Sequence, residues 1–245
     1  MDKERIMGKR GLTAVYGFVS IVLVLVSVQS VSVAYVTPQI GGGQVGKTVA
    51  PMIMPEITFN GTNVVVLDAN GNPWTTLTGA DRPVLRPLTG TDAFDPAKMW
   101  YSSLNGKAYN WQYGWSNGLL NQSLIPAGDK IWIELISQSD GLNAYDRNNN
   151  YAPIFGSGGT SNIWKWNETM GMSHNAYTVT PGYGDLSATY KVYLGDATTG
   201  AAIAGYGYDT VMLTWTSIPE PATLTLMGTG LFYLLGSRRK HRAAA

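Results

Sequence analysis

Few residues of this chain are placed to do chemistry. Cleavage of a glycosidic bond needs two carboxyl groups facing each other across a groove, and Glu134, Glu168 and Asp185 are the loose candidates. Ser173 and His174 could supply a nucleophile and a base. Neighbours on an extended strand point to opposite faces, however, and no nucleophile elbow surrounds any serine, so no catalytic residue is assigned. Asp146, Asn148 and Asn150 alternate oxygen-bearing side chains, and Asp140 or Asn143 could complete a cage for a hard cation such as Ca²⁺. An EF-hand loop would need glycine where Tyr151 stands and a closing acid, and neither is present. Asp68, Asn70 and Asn72 repeat the alternation, with Pro73 at the glycine position; here Asn70-Gly71 between two β-prone runs reads as a hairpin turn instead.

The elements that would position these groups are strands. Thr62–Leu67 and Trp74–Leu77 flank the Asn70-Gly71 turn, and Lys130–Ser137 alternates Ile131, Ile133 and Leu135 with Trp132, Glu134 and Ile136, the pattern of a central strand. A short run, Ile163–Trp166, follows. Ser187–Leu194 and Asp209–Thr216 each carry one aliphatic or aromatic face and one Thr/Tyr-rich face, and read as partners in one sheet. Tyr109, Trp111, Tyr113 and Trp115 fall at spacing two, which puts four rings on one face of a single strand. Exposed, Trp111, Tyr113 and Trp115 would form a stacking platform for sugars. The simpler expectation buries the stripe between two sheets. The Gly/Pro-rich stretch 35–61 is expected to be an irregular lead-in.

Both ends of the chain have a separate character. Lys3, Arg5, Lys9 and Arg10 precede an uncharged apolar run from Leu12 to Val28, and Ser32-Val33-Ala34 offers small residues for cleavage. These are the three regions of a secretory signal peptide, residues 1–34, which would engage the Sec machinery and signal peptidase. At the other end Pro219, Glu220 and Pro221 are followed by an apolar run, Ala222–Gly236, and then by Arg238, Arg239, Lys240, His241 and Arg242. As a helix the run would be about 22 Å long, short of the roughly 30 Å hydrocarbon core but able to span with help from its flanks. The basic cluster would stay cytoplasmic.

Residues 218–245 resemble the PEP-CTERM sorting signal in motif, transmembrane helix and basic tail, with Ile218 where Val is usual. The resemblance implies that an exosortase in the inner membrane reads Pro219-Glu220-Pro221. It also implies that the protein is exported together with exopolysaccharide to the cell surface or beyond.

Between the two ends, the body carries nine Lys/Arg against thirteen Asp/Glu, the sixteen of the whole chain less Asp2, Glu4 and Glu220. A net charge of −4 with no basic face excludes nucleic acid as a partner. There is no cysteine, so no disulfide framework supports an exported domain. The expectation is an all-β protein: one β-sandwich or jelly-roll-like domain over residues 62–217, with a signal-peptide helix before it and a transmembrane helix after it. Its expected role is non-enzymatic, as an exopolysaccharide-associated surface or matrix protein. The alternatives are a glycan-active enzyme and an ice-binding or adhesive module. N-terminal sequencing of the exported protein is expected to begin at Tyr35, and a product that still begins at Met1 would show that the first apolar run is kept as an anchor.

Overall fold

The computed structural model describes residues 34–43, 50–90, 92–182 and 184–219. The expected signal peptide up to Val33, and the tail from Glu220 onward with its apolar run, lie outside the described residues. No helix among the described residues is long and apolar enough to cross a membrane.

The described chain is all-β. Its one α-helix is α1 (Tyr101–Leu104). The strands are β1 (Ala34–Val36), β2 (Glu56–Phe59), β3 (Val64–Leu67), β4 (Val84–Leu85), β5 (Asp92–Phe94), β6 (Ala108–Asn110) and β7 (Gly114–Ser116), followed by β8 (Asp129–Gln138), β9 (Asn143–Asp146), β10 (Ala152–Ile154), β11 (Ile163–Lys165), β12 (Met172–Val179), β13 (Gly184–Asp196) and β14 (Asp209–Ser217). Two principal sheets form. One runs β10-β9-β12-β7-β2-β3 with β6 also on β12, the other runs β11-β8-β13-β14-β4, and β1 pairs with β5 in a small separate sheet.

The second sheet follows the sequence pattern closely. β8 lies between β11 and β13, and β13 pairs antiparallel with β14 along nine residues from Gly184↔Ser217 to Val192↔Asp209. Tyr190, Val192 and Leu194 with Val211, Leu213 and Trp215 form the buried faces. These side chains share one core with Ile57, Phe59, Val64 and Val66 of the first sheet. The 35–61 stretch is more ordered than its Gly/Pro content led one to expect. It contains β1 and β2, because Glu-Ile-Thr-Phe between Pro55 and Asn60 alternates well enough to pair with β3. The hairpin turn therefore falls at Asn60-Gly61, where Gly61 has φ +91° and the Asn60 side chain accepts hydrogen bonds from the Thr62 and Asn63 amides. The Asn70-Gly71 turn also forms, yet its second arm, residues 74–77, is not a strand.

The aromatic stripe departs from its expected geometry. On one edge of β12, β6 and β7 sit end to end, with Tyr177 opposite Asn110 and His174 opposite Gly114. Between these pairs, residues 111–113 face only Asn175 and Ala176, so one extra residue is accommodated as a bulge. A one-residue slip sends the following side chains to the opposite face. Tyr113 and Trp115 thus enter the core between the sheets, whereas Tyr109 and Trp111 join a second cluster with Phe94, Leu104, Tyr151 and Ala176. The opposite face is buried as well. Asn110 and Gln112 are satisfied there, Asn110 donating to the Gln112 side-chain oxygen at 2.7 Å and Gln112 donating to the Pro51 carbonyl at 3.0 Å.

Inside the main core Trp215 lies 5.2 Å from Tyr113 and 4.6 Å from Tyr177, and Tyr190 packs against Trp115 and Phe155 at 5.6 and 4.8 Å between ring centres. The hydroxyls of Tyr177 and Tyr190 and the indole N–H of Trp115 are buried with no hydrogen-bond partner among the described residues. Removing such a hydroxyl strands nothing, while removing the ring leaves a cavity. In denaturant unfolding, Tyr190→Phe is expected to keep stability within about 1 kcal/mol, and Tyr190→Ala to lose about 3–5 kcal/mol. A Phe variant as damaging as the Ala variant would show that the hydroxyl is engaged.

Candidate functional site

The three carboxylates that might have formed a hydrolytic pair stand in three separate ion pairs. Glu134, on β8, faces Lys191 at 3.8 Å, Asp185 meets Arg82 at 2.8 Å, and the buried Glu168 holds Lys130. Ser173 and His174 are both buried on β12, as adjacent residues with opposite facing. The His174 ring lies against Gly114, where a Cβ would approach it to 2.5 Å. Its Nδ1 is 2.9 Å from the Trp111 carbonyl, and burial holds its pKa below the usual value.

The oxygen-rich segment is divided by β9. Asp140 lies in the turn before the strand and Asp146 at its far end. Four extended residues span on the order of 10 Å, so Asp140 is carried away from Asn148 and Asn150. Asp146 caps the next turn by accepting from the Asn148 amide at 3.0 Å, Asn143 donates to the Gly141 carbonyl, and Asn150 takes a left-handed conformation at φ +50°. Among the described residues no three His, Cys, Asp or Glu side chains come together to hold a metal. Trp111, Tyr113 and Trp115 are 7%, 1% and 1% exposed and offer no ring face to a sugar; the bulge and the second cluster explain why the platform does not form.

A cleft of about 900 Å³ opens elsewhere, between residues 39–42 and 50–54, the turn 68–75, and the segment 80–86. Its walls are tied to the aromatic strand by main-chain bonds. The amide of Trp111 donates to the Ile40 carbonyl, that of Ile53 to the Gln112 carbonyl, and Arg86 and Tyr109 exchange both of theirs. Gly42 makes one of these approaches feasible: at φ +72° it passes so close to Tyr109 that a Cβ would fall 1.8 Å from its carbonyl oxygen. The Tyr109 hydroxyl donates to the Gly43 carbonyl at 3.0 Å and accepts from the Gln39 amide at 3.1 Å, and burial pushes its pKa up.

Trp74 lines the cleft half-buried, with its indole N–H donated to the Met212 carbonyl at 3.2 Å and its ring 6.2 Å from that of Tyr113. Asp68 is committed to its own turn, accepting from the Asn70 and Asn72 amides, which hold its pKa down. Asp81 and Arg86 are exposed at the cleft. Sequence reading missed this site because four separate stretches contribute to it, none with a recognisable spacing. It also passed over Glu56, a carboxylate buried on β2 whose Oε2 has no partner among the described residues.

The body ends abruptly at the triplet. Thr216 and Ser217 still pair with Val84 and Leu85, and the Ile218 amide donates to the Leu85 carbonyl at 3.2 Å. Pro219, half-buried, is the last described residue, and Glu220, Pro221 and the basic residues 238–242 lie beyond it. Residues 217–240 match the model of the PEP-CTERM protein-sorting motif. The chain carries a PEP-CTERM sorting signal. Such a signal implies export, processing by an exosortase and delivery to the cell surface or outside the cell. No curated protein and no solved structure matches the chain. In a PEP-CTERM chain built this way, Ile218 alone separates the last paired strand residue from the triplet.

The His174 environment sets a pH dependence. Its folded pKa lies below the unfolded value of about 6.5, so the unfolded chain binds the extra proton first. The stabilisation is complete above that value and is lost as pH falls through the folded pKa. Urea midpoints are expected to decline as pH drops below about 6.5, and His174→Gln is expected to flatten that decline. An unchanged slope in the variant would place its origin elsewhere.

Proposed function

We propose that this protein is a non-enzymatic component of the cell surface or extracellular matrix that is released from an inner-membrane intermediate by exosortase and then contacts exopolysaccharide. In this reading the two facing sheets are a β-sandwich that serves as a rigid module, and it uses no cofactor. The observation that carries the reading is the PEP-CTERM motif at 217–240, which starts on the last residue of β14. The separate ion pairs of Glu134, Glu168 and Asp185 favour a binding role over hydrolysis, since each carboxylate answers to its own cation. The outward face of β13 and β14 mixes Thr189 and Thr210 with Lys191 and Met212, while Thr214 is buried and donates to the Leu77 carbonyl, which favours sugar contact over lattice matching to ice. Among the tryptophans, sugar contact falls to the half-buried Trp74, Trp100 and Trp164, because the other five are buried.

Intact mass and cell fractionation in hosts with and without an exosortase test the reading. A product ending near Pro219–Pro221 that leaves the membrane only when the exosortase is present is expected. A full tail in both hosts would overturn the sorted-matrix role and leave a plain membrane-anchored domain.

A further inference from the structure

We propose that the cleft beside Trp74 is the glycan-binding site, and that it takes a hydroxyl-rich, uncharged saccharide segment rather than a polyanion. The inference rests on the reading that the body meets exopolysaccharide, and adds to it a place and a ligand class.

Three observations carry it. First, at about 900 Å³ the cleft has the capacity of a small-ligand site, and in it an incompletely buried tryptophan meets polar side chains. Saccharides present apolar C–H faces and hydroxyl edges, and Trp74 with Met52 on one side and Asp81 with Arg86 on another supply both kinds of contact. Second, the cleft is preorganised. The Trp74 ring is fixed by its N–H bond to Met212 and by Tyr113, and the wall 50–54 is pinned to Gln112, so little ordering cost falls on binding. Third, the cleft carries charges of both signs. Asp68 stays ionised within its turn and Arg82 is paired with Asp185, so at the cleft two carboxylates, Asp68 and Asp81, and one guanidinium, Arg86, stand outside the three ion pairs found among the described residues. Charges of both signs suit vicinal hydroxyls, which both donate and accept; with no excess of positive charge the cleft gives a uronate chain no net attraction.

The processed protein, purified from an exosortase-bearing host, would be titrated calorimetrically with oligosaccharides from partial hydrolysis of that host's exopolysaccharide, separated into neutral and uronate-containing fractions. Binding of the neutral fraction is expected, weakened at least tenfold by Trp74→Ala and several-fold by Asp81→Ala or Arg86→Ala, and unchanged by Tyr208→Ala. Because Trp74 also packs against Tyr113, the two exposed-residue variants keep the test valid if Trp74→Ala fails to fold. Retained affinity in both of them would overturn the cleft assignment while leaving exopolysaccharide contact standing. Salt-sensitive preference for the uronate fraction would overturn the ligand class. No binding of either fraction by the unaltered protein would overturn the exopolysaccharide reading itself, and this inference with it.

Discussion

Three residues of the aromatic run, Trp111 to Tyr113, oppose two residues of β12, and the arrangement of the domain depends on that mismatch. Without the extra residue all four rings would share one face, too many for the space between the sheets. With it, Tyr113 and Trp115 fill the inter-sheet core, while Tyr109 and Trp111 build a second cluster on the outer side. That second cluster is what the lead-in packs on. The Tyr109 hydroxyl and the amides of Tyr109 and Trp111 fasten residues 39–43 and 86, and the cleft exists because those segments are held there.

An exported domain without cysteine must rely on packing and local turn chemistry. Among the described residues the tryptophans and tyrosines are used mainly inside, in edge-to-face and tilted pairs that follow one another through the core. At the surface, Asp68, Asp146 and Asp196 each cap their own turn by accepting main-chain amides. Segments that look from composition like cation loops are thereby accounted for as turns. Three carboxylates, Glu134, Glu168 and Asp185, enter ion pairs that link strands and loops.

The position of the sorting signal gives the body an orientation relative to its processing. β14 is paired up to Ser217, and the bond from Ile218 to Leu85 carries its pairing with the edge strand β4 to the residue before the triplet. The cleft segment 80–86 includes β4, the strand on which this end of β14 is paired. The proposed binding surface and the point of tail departure are thus neighbours on the same sheet edge.

Periodicity alone sufficed for β8, β13 and β14, because long strands with one buried face leave a clean alternation; Asn70-Gly71 marked a turn, but the hairpin closes instead at Asn60-Gly61. The order of chemical zones in the tail was equally readable, since the PEP-CTERM motif is linear and needs no fold to be recognised. What the sequence could not determine was anything requiring knowledge of which strand lies opposite which. The bulge that splits the aromatic stripe appears only when residues 111–113 are set against Asn175 and Ala176. The order in residues 34–43 arises from partners more than forty positions away and that of 50–59 from residues 112–116 as well as the adjacent β3, and the cleft is assembled from four stretches that share no local signal. Local residue chemistry determined the longest strands and the destination of the protein; long-range register decided what those strands buried and where the cleft opened.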